Sequence, residues 1–215
     1  MKIGIIGSGT VGQVLGTALL KEGHEVMLGT RDLSKPEVIA WRVNNPTGSV
    51  GYFTDVSAFG ELIILAVKGL KAIEALEQSD MSQLAGKILI DTTNPIDASA
   101  PVNGVLPYFT TYNESLMERI QGRIPNTKVV KAFNSIGSMY MYKPKFPGGT
   151  PTMFICGDDA GAKATVTSIL TSFGWETEDM GMSTSARAIE PLCILWCLPG
   201  FLNNQWGHAF KLLKA

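Results

Sequence analysis

The chain has 215 residues, with 18 Lys and Arg against 19 Asp and Glu and a formal net charge of −1. That length can bury a sizeable core in one large domain. The even balance of charge excludes a partner recruited by overall field, nucleic acid and anionic membrane surface included.

The first elements alternate strand and helix patterns. Lys2–Ile6 is a short β-branched run, interrupted by glycine too early for the apolar core of a signal peptide, so no targeting segment is expected and the cytoplasm is the default compartment. Thr10–Lys21 carries Val11, Val14, Leu15, Ala18 and Leu19 at helical spacing. Gly23 stops that helix, and His24–Leu28 starts a second strand. Val50–Phe53, Leu62–Val67 and Lys87–Asp91 read as the third, fourth and fifth strands, and Val129–Phe133 as the next. Strands alternating with helices predict a parallel sheet covered on both faces.

Gly137–Thr150, rich in Gly, Pro, Lys and aromatics, reads as a loop. Thr152–Cys156 resumes as a strand, Gly161–Phe173 as a helix, and Trp175–Glu178 as the last strand. Ser183–Leu213 is expected to be mostly helical but broken by Pro191 and Pro199. Its apolar part, Ala188–Leu202, reads as too short and too interrupted to span a bilayer. Cys156, Cys193 and Cys197 make an odd count without metal-ligand spacing, which reads as buried free thiols, with a redox or metal role as the minor alternative.

Gly7-Ser8-Gly9-Thr10-Val11-Gly12 matches G-x-G-x-x-G after an apolar strand and at the opening of a helix. Gly7 permits the tight turn, Gly9 lets main chain approach a pyrophosphate, and Gly12 lets helix and strand pack closely. The helix start offers unpaired N–H groups and a partial positive charge to the phosphates. These signals predict an α/β fold: a Rossmann-type, doubly wound, mainly parallel sheet with a small C-terminal helical part. Residues 1–215 form a single NADP-binding domain in this reading, and 183–215 its C-terminal helical extension.

The end of the second strand selects the cofactor. NAD sites usually place an acid there, about 20 residues past the motif, for the ribose 2′-hydroxyl. Here the segment reads Leu28-Gly29-Thr30-Arg31, with Lys35 beyond. Hydroxyl, guanidinium and ammonium groups suit a 2′-phosphate, so NADP is preferred to NAD. Asp32 can either reach a ribose or pair with Arg31. Three further strand ends can line the groove: Ala66-Val67-Lys68, Thr93-Asn94-Pro95 and Ala132-Phe133-Asn134. Asn94 and Asn134 can hydrogen-bond a ribose or carboxamide, or can simply make turns. Lys68 reads as a solvated side chain.

With those residues in place, the sequence resembles the reductases that move hydride between NADP and the 8-hydroxy-5-deazaflavin coenzyme F(420). It is also similar to the N-terminal oxidoreductase domain of the six-transmembrane epithelial antigen metalloreductases. The marks are Gly7–Gly12, Gly29-Thr30-Arg31 with Lys35, Gly86–Asp91, Thr93-Asn94-Pro95, Val129–Asn134, Cys156-Gly157-Asp158, Asp179-Met180-Gly181, Ala186 and Glu190-Pro191-Leu192. The resemblance implies an NADP(H) site at the strand ends, with Thr30, Arg31 and Lys35 at the 2′-phosphate. It also implies a small C-terminal helical part enclosing the electron acceptor, and a homodimer. The transmembrane haem and metal-reducing half of the metalloreductases has no counterpart in this sequence, and Gly137–Thr150 and the C-terminal segment depart from the deazaflavin reductases.

The expected activity is hydride transfer between NADP(H) and a small flavin-like or deazaflavin acceptor. No side chain is assigned a catalytic role and no metal is expected. The alternatives are carbonyl or imine reduction, and a non-enzymatic NADP(H)-sensing module. Carbonyl reduction needs a proton donor; Tyr108, Tyr112, Tyr140 and Tyr142 form no recognisable pair, and His24 and His208 read as structural. The apolar stretch Ile189–Leu202 is the expected dimer surface.

Overall fold

A computed structural model describes residues 1–215. Eight strands occur along the chain: β1 Lys2–Ile6, β2 Glu25–Gly29, β3 Ser49–Gly51, β4 Leu62–Leu65, β5 Ile88–Asp91, β6 Lys128–Lys131, β7 Thr152–Gly157 and β8 Glu176–Asp179. They form one sheet in the order β3-β2-β1-β4-β5-β6-β7-β8. All neighbours are parallel except β6 and β7, which are antiparallel through Lys131 opposite Cys156. The expected doubly wound, mainly parallel α/β sheet is therefore what the chain builds.

Strand periodicity sends alternate residues to opposite faces, and both faces are apolar. Ile3 and Ile5 of β1 and Leu62 and Ile64 of β4 join one core. It is covered by helices α1 (Thr10–Lys21), α2 (Pro36–Asn44) and α6 (Ala160–Ser172), which contribute Leu15, Leu19, Trp41 and Leu170. Ile6, Ile63 and Leu65 point into the second core with Phe53, Val56, Leu76, Met117 and Ile189. Its helices are α3 (Phe53–Phe59), α4 (Ala72–Glu77), α5 (Leu116–Arg123) and α7 (Ala186–Ile189). The last helix, α8 (Leu192–Asn203), follows α7 directly.

Several boundaries differ from the sequence reading, each for a local reason. The third strand stops at Gly51, because the Asp55 carboxylate accepts the Tyr52 N–H at 2.7 Å and starts α3 at Phe53. The strand expected over Val129–Phe133 leaves the sheet after Lys131, and Phe133 adopts φ +62°. Of the two prolines expected to break the C-terminal helices, only Pro191 falls at a break, between α7 and α8. Pro191 sits at the start of α8, where its missing N–H costs nothing, and Pro199 lies within α8. Counted through that junction, the helical run Ser183–Asn203 is 21 residues long, and by length and composition alone is long and apolar enough to cross a membrane. Ala186, Ile189, Cys193 and Trp196 of this run are buried against the body of the protein.

Helix formation ends earlier than Leu213. Asn204 takes the left-handed conformation at φ +52° and turns the chain out of α8. The tail then runs beside the start of β7: Thr152 N–H donates to Phe210 O at 2.9 Å, and Lys211 pairs with Glu176 at 2.6 Å. Trp196 and His208 fasten it from both sides, Trp196 Nε1 donating to His208 O at 2.9 Å and His208 Nε2 lying 2.8 Å from Trp196 O.

The α5–α7 contact is an ion clamp. Arg187 donates to both oxygens of Glu118 at 2.6 to 3.1 Å, and Glu118 also accepts from the Ser115 N–H and hydroxyl that cap α5. The Arg187 guanidinium, with Ser115 behind it, holds the Glu118 carboxyl at about 2, below the usual 4.5. A depressed carboxylate stabilises the fold above its unfolded value and loses that contribution as pH falls through its folded value. The melting temperature should therefore fall between pH 4.5 and pH 2, and fall less steeply in Arg187→Ala. Parallel pH profiles for the two proteins would reject the clamp.

Candidate functional site

The carboxyl end of β1 carries the glycine turn, flanked by β2 on one side and β4 on the other. Gly7 has φ +127°, a conformation that side chains rarely adopt, and a Cβ there would run into the Ala66 carbonyl. Gly12 packs so closely on the Gly7 carbonyl that it too has no room for a side chain. Gly9 is different: a Cβ on it would meet nothing within 4 Å. Its openness is therefore not required by the protein's own packing. Helix α1 starts there with no side-chain cap and no acid in its first turn, so its N–H groups and positive end face that open space. Ser8 is half-buried, with its carbonyl held by Gln13 Nε2 at 2.9 Å, while Thr10 is exposed and Val11 half-buried at the helix start.

Ser8 Oγ donates to Thr30 Oγ1 at 3.2 Å, which ties the turn to the end of β2. Thr30 is buried, and Arg31 projects into solvent with a 3.8 Å contact to Glu74 of α4. Asp32 does not pair with Arg31. Its Oδ1 accepts the Ser34 N–H at 2.9 Å and hydroxyl at 2.6 Å, which hold the carboxyl below its usual range. The cations Arg31 and Lys35 are thus left without a carboxylate partner on their own loop. Lys35, half-buried, sits at the start of α2.

Farther along the sheet edge, Ala66 is buried, Val67 half-buried and Lys68 exposed. Asn94 and Asn134 bond each other: Asn94 Nδ2 donates to Asn134 O at 2.8 Å, and Asn134 Nδ2 to Asn94 Oδ1 at 3.1 Å. Asn134 Nδ2 also reaches Ile189 O at 3.0 Å. The pair therefore laces the ends of β5 and β6 to α7, and Asn134 Oδ1 is buried with no partner. Pro95 and Ala132 are buried beside it. The Phe133 side chain turns into the core against Phe173, with ring centroids 6.0 Å apart, so only its backbone faces the strand ends.

Beneath these residues lies a cluster with no assigned role in the sequence reading. Lys131 of β6 is fully buried, with Nζ 2.6 Å from Asp91 Oδ2 and 2.8 Å from Glu190 Oε1, and it donates to Thr93 O at 2.8 Å. Asp91 Oδ1 accepts the Thr93 N–H at 2.8 Å and hydroxyl at 2.7 Å. Glu190 accepts the Leu116 and Met117 N–H groups, both at 2.9 Å, at the start of α5. Burial pulls the Lys131 ammonium down, but Asp91 and Glu190 outweigh it and hold the group above its usual value. The signal was present: one charge ends each of two apolar strands, ILID and VVK, and Glu190 interrupts an apolar helical segment.

The candidate proton donors lie elsewhere or are engaged. Tyr108 donates to Glu190 O at 2.7 Å, and burial pushes its phenol well above the usual range. Tyr112 is 92% exposed. Tyr142 donates to Glu22 at the far end of α1 from the glycine turn, and His24 follows there. Tyr140 packs on Phe146 and His208 stacks on Trp196. All three cysteines are free; Cys156 and Cys193 are buried and Cys197 half-buried.

The family model for NADP oxidoreductase, coenzyme F(420)-dependent, matches residues 2–95. A crystal structure from Arthrobacter sp. FB24, provisionally assigned as an F(420)-dependent NADP reductase, aligns over 100% of both chains at 36% identity with a TM-score of 0.94. The chain belongs to the coenzyme F(420)-dependent NADP oxidoreductase family. Among curated relatives of this family member, the F420-dependent NADP reductase of Methanothermobacter thermautotrophicus is 34% identical over 68% of this chain and 66% of its own length. Metalloreductase STEAP3 of Rattus norvegicus is 31% identical over 94% of this chain. The chain spans only 39% of that longer protein.

Lys131→Met leaves two buried carboxylates without their cation, which should cost about 3–5 kcal/mol. A lowered urea midpoint reads this out; a loss under about 1 kcal/mol would show that the ammonium is dispensable.

Proposed function

We propose that residues 1–215 act as one NADP-binding unit, with 183–215 as its C-terminal extension, that transfers hydride between NADP(H) and a flavin-like or deazaflavin acceptor. The observation that carries this reading is the open start of α1. Gly9 faces empty space there, and neither an acid nor a side-chain cap competes for the helix N–H groups. Gly7, Ser8, Gly9, Thr10, Val11 and Gly12 cradle the pyrophosphate, with backbone doing the binding. Arg31 and Lys35 hold the 2′-phosphate with Thr30 beside them, since Gly29 replaces the usual acid and Asp32 is turned to Ser34. Ala66, Val67, Lys68, Asn94, Pro95, Ala132, Phe133 and Asn134 continue the groove toward the nicotinamide.

NADP(H), when bound, supplies or accepts the hydride at its nicotinamide ring. The protein's part is alignment and exclusion of water, because a flavin-type ring takes its proton from solvent and needs no acid from the chain. The engaged or distant tyrosines and histidines fit that division of labour. The cover over the acceptor comes from the 137–150 loop and the C-terminal helices.

We place the protein in the cytoplasm, where three free thiols are chemically at home. We also propose a homodimer through the outer side of α8, where Leu195, Phe201 and Leu202 are exposed together with Val102. In this reading the helical run packs on protein, not lipid. Sedimentation velocity returning only monomer at micromolar concentration would reject the dimer.

The test combines cofactor titration with an acceptor screen. NADPH should bind at least about tenfold more tightly than NADH, because one charge-assisted phosphate contact is worth about 1.5–3 kcal/mol. Arg31→Ala should weaken NADPH and leave NADH nearly unchanged, and Gly9→Val should fold normally yet lose both. NADPH oxidation is then followed with flavins, a deazaflavin and ferric chelates as acceptors. Equal affinity for the two dinucleotides overturns the cofactor assignment, and turnover with none of the ring acceptors overturns the acceptor class.

A further inference from the structure

The buried Asp91–Lys131–Glu190 cluster contains two carboxylates and one ammonium. Each carboxylate faces donors only. Asp91 takes the Thr93 N–H, the Thr93 hydroxyl and the ammonium; Glu190 takes two helix N–H groups and the ammonium. Counted as two carboxylates and one ammonium, the cluster has a formal charge of −1, which the N–H groups that open α5 partly offset at Glu190. All three side chains are essentially without solvent exposure, so neither water nor salt ions screen that charge as they would at the surface.

Its position is tied to the groove. Lys131 Nζ holds the Thr93 carbonyl, and the next residue is Asn94, at the groove wall beside Asn134. Asp91 is three residues from Asn94, which sets their separation at about 10 Å or less. The oxidised nicotinamide ring carries a positive charge that the reduced ring lacks.

We infer that the Asp91–Lys131–Glu190 cluster is a redox-state selector, whose net negative charge beneath the β5 and β6 strand ends favours NADP⁺ over NADPH in the bound state. This inference rests on the NADP(H) reading above. For scale, a unit charge acting over about 10 Å, with an effective dielectric constant of about 20, would change the binding of a cation relative to its neutral form by about tenfold. The residues act through the field they set up, and none of them touches the reacting atoms.

The experiment measures the dissociation constants of NADP⁺ and NADPH separately, by calorimetry without any acceptor. In the wild type NADP⁺ binds no more weakly than NADPH; a tenfold or greater preference for NADPH overturns the inference without any variant. Glu190→Gln removes the charge and keeps the shape, and it should weaken NADP⁺ about tenfold relative to NADPH. Glu190→Asp keeps the charge and disturbs the shape, and its ratio should stay that of the wild type. Asp91→Asn repeats the charge removal at a second position. A merely structural cluster would lower both affinities together in all three variants, with the ratio fixed, and that result overturns the inference. Failure of the wild type to bind either form would instead sink the NADP(H) assignment itself.

Discussion

The ammonium of Lys131 reaches two carboxylates and one carbonyl from inside the sheet, and through them it joins β5, β6, α5 and the α7–α8 junction. Isolated, a buried lysine would be strongly unfavourable; here the desolvation is offset by two opposite charges that are themselves bonded to backbone. The arrangement is self-consistent only when all parts are in place. Glu190 needs both the ammonium and the start of α5, and α5 in turn is capped by Ser115, whose partner Glu118 is clamped by Arg187 of α7. The C-terminal helices therefore dock onto the sheet through directional polar bonds as well as apolar packing. Asn134 to Ile189 and Tyr108 to Glu190 add two more bonds of the same kind. The carboxyl edge of β5 and β6 is fixed as a consequence of this docking.

The glycine turn and the sheet were legible in the sequence because each rests on local chemistry. Gly7 needs a positive φ, Gly12 needs contact with the Gly7 carbonyl, and the strand that precedes them is apolar on both faces. Such demands are written into neighbouring residues. Asp32 was ambiguous because Ser34 and Arg31 are both near it in sequence, and the short Asx-type turn to Ser34 prevails. The third strand was overextended because Tyr52 and Phe53 continue an apolar pattern, while the capping contact from Asp55 starts a helix there.

The charged cluster was not legible for the opposite reason. Asp91, Lys131 and Glu190 are 40 and 59 residues apart, and they meet only because β5 and β6 pair in register at Asp91 and Lys131 while α7 crosses their ends. Asn94 and Asn134 meet by the same register. A strand ending in one charge reads locally as the strand reaching solvent. Only the sheet order, which buries β5 and β6 in its interior, turns those two ends into a buried ion pair.

Residues 2–95, which the family model matches, end at Pro95, one residue past the first member of the asparagine pair. The two ends of the proposed groove differ in their chemistry. At the proposed pyrophosphate end, backbone N–H groups and a helix dipole would do the binding, so the sequence requirements there reduce to small residues at fixed spacing. In the same proposal the other end is assembled from Asn134, the 137–150 loop and the helical run that ends at Asn203, and side chains supply its walls. Side-chain walls can be rebuilt without disturbing the sheet, whereas the glycine turn cannot. On the proposed reading, selectivity for the acceptor is set in the second half of the chain, and the docking of that half runs through Glu190. On that reading, the bonds that dock the C-terminal helices through Glu190 also position the proposed acceptor-facing wall against the proposed cofactor-facing edge.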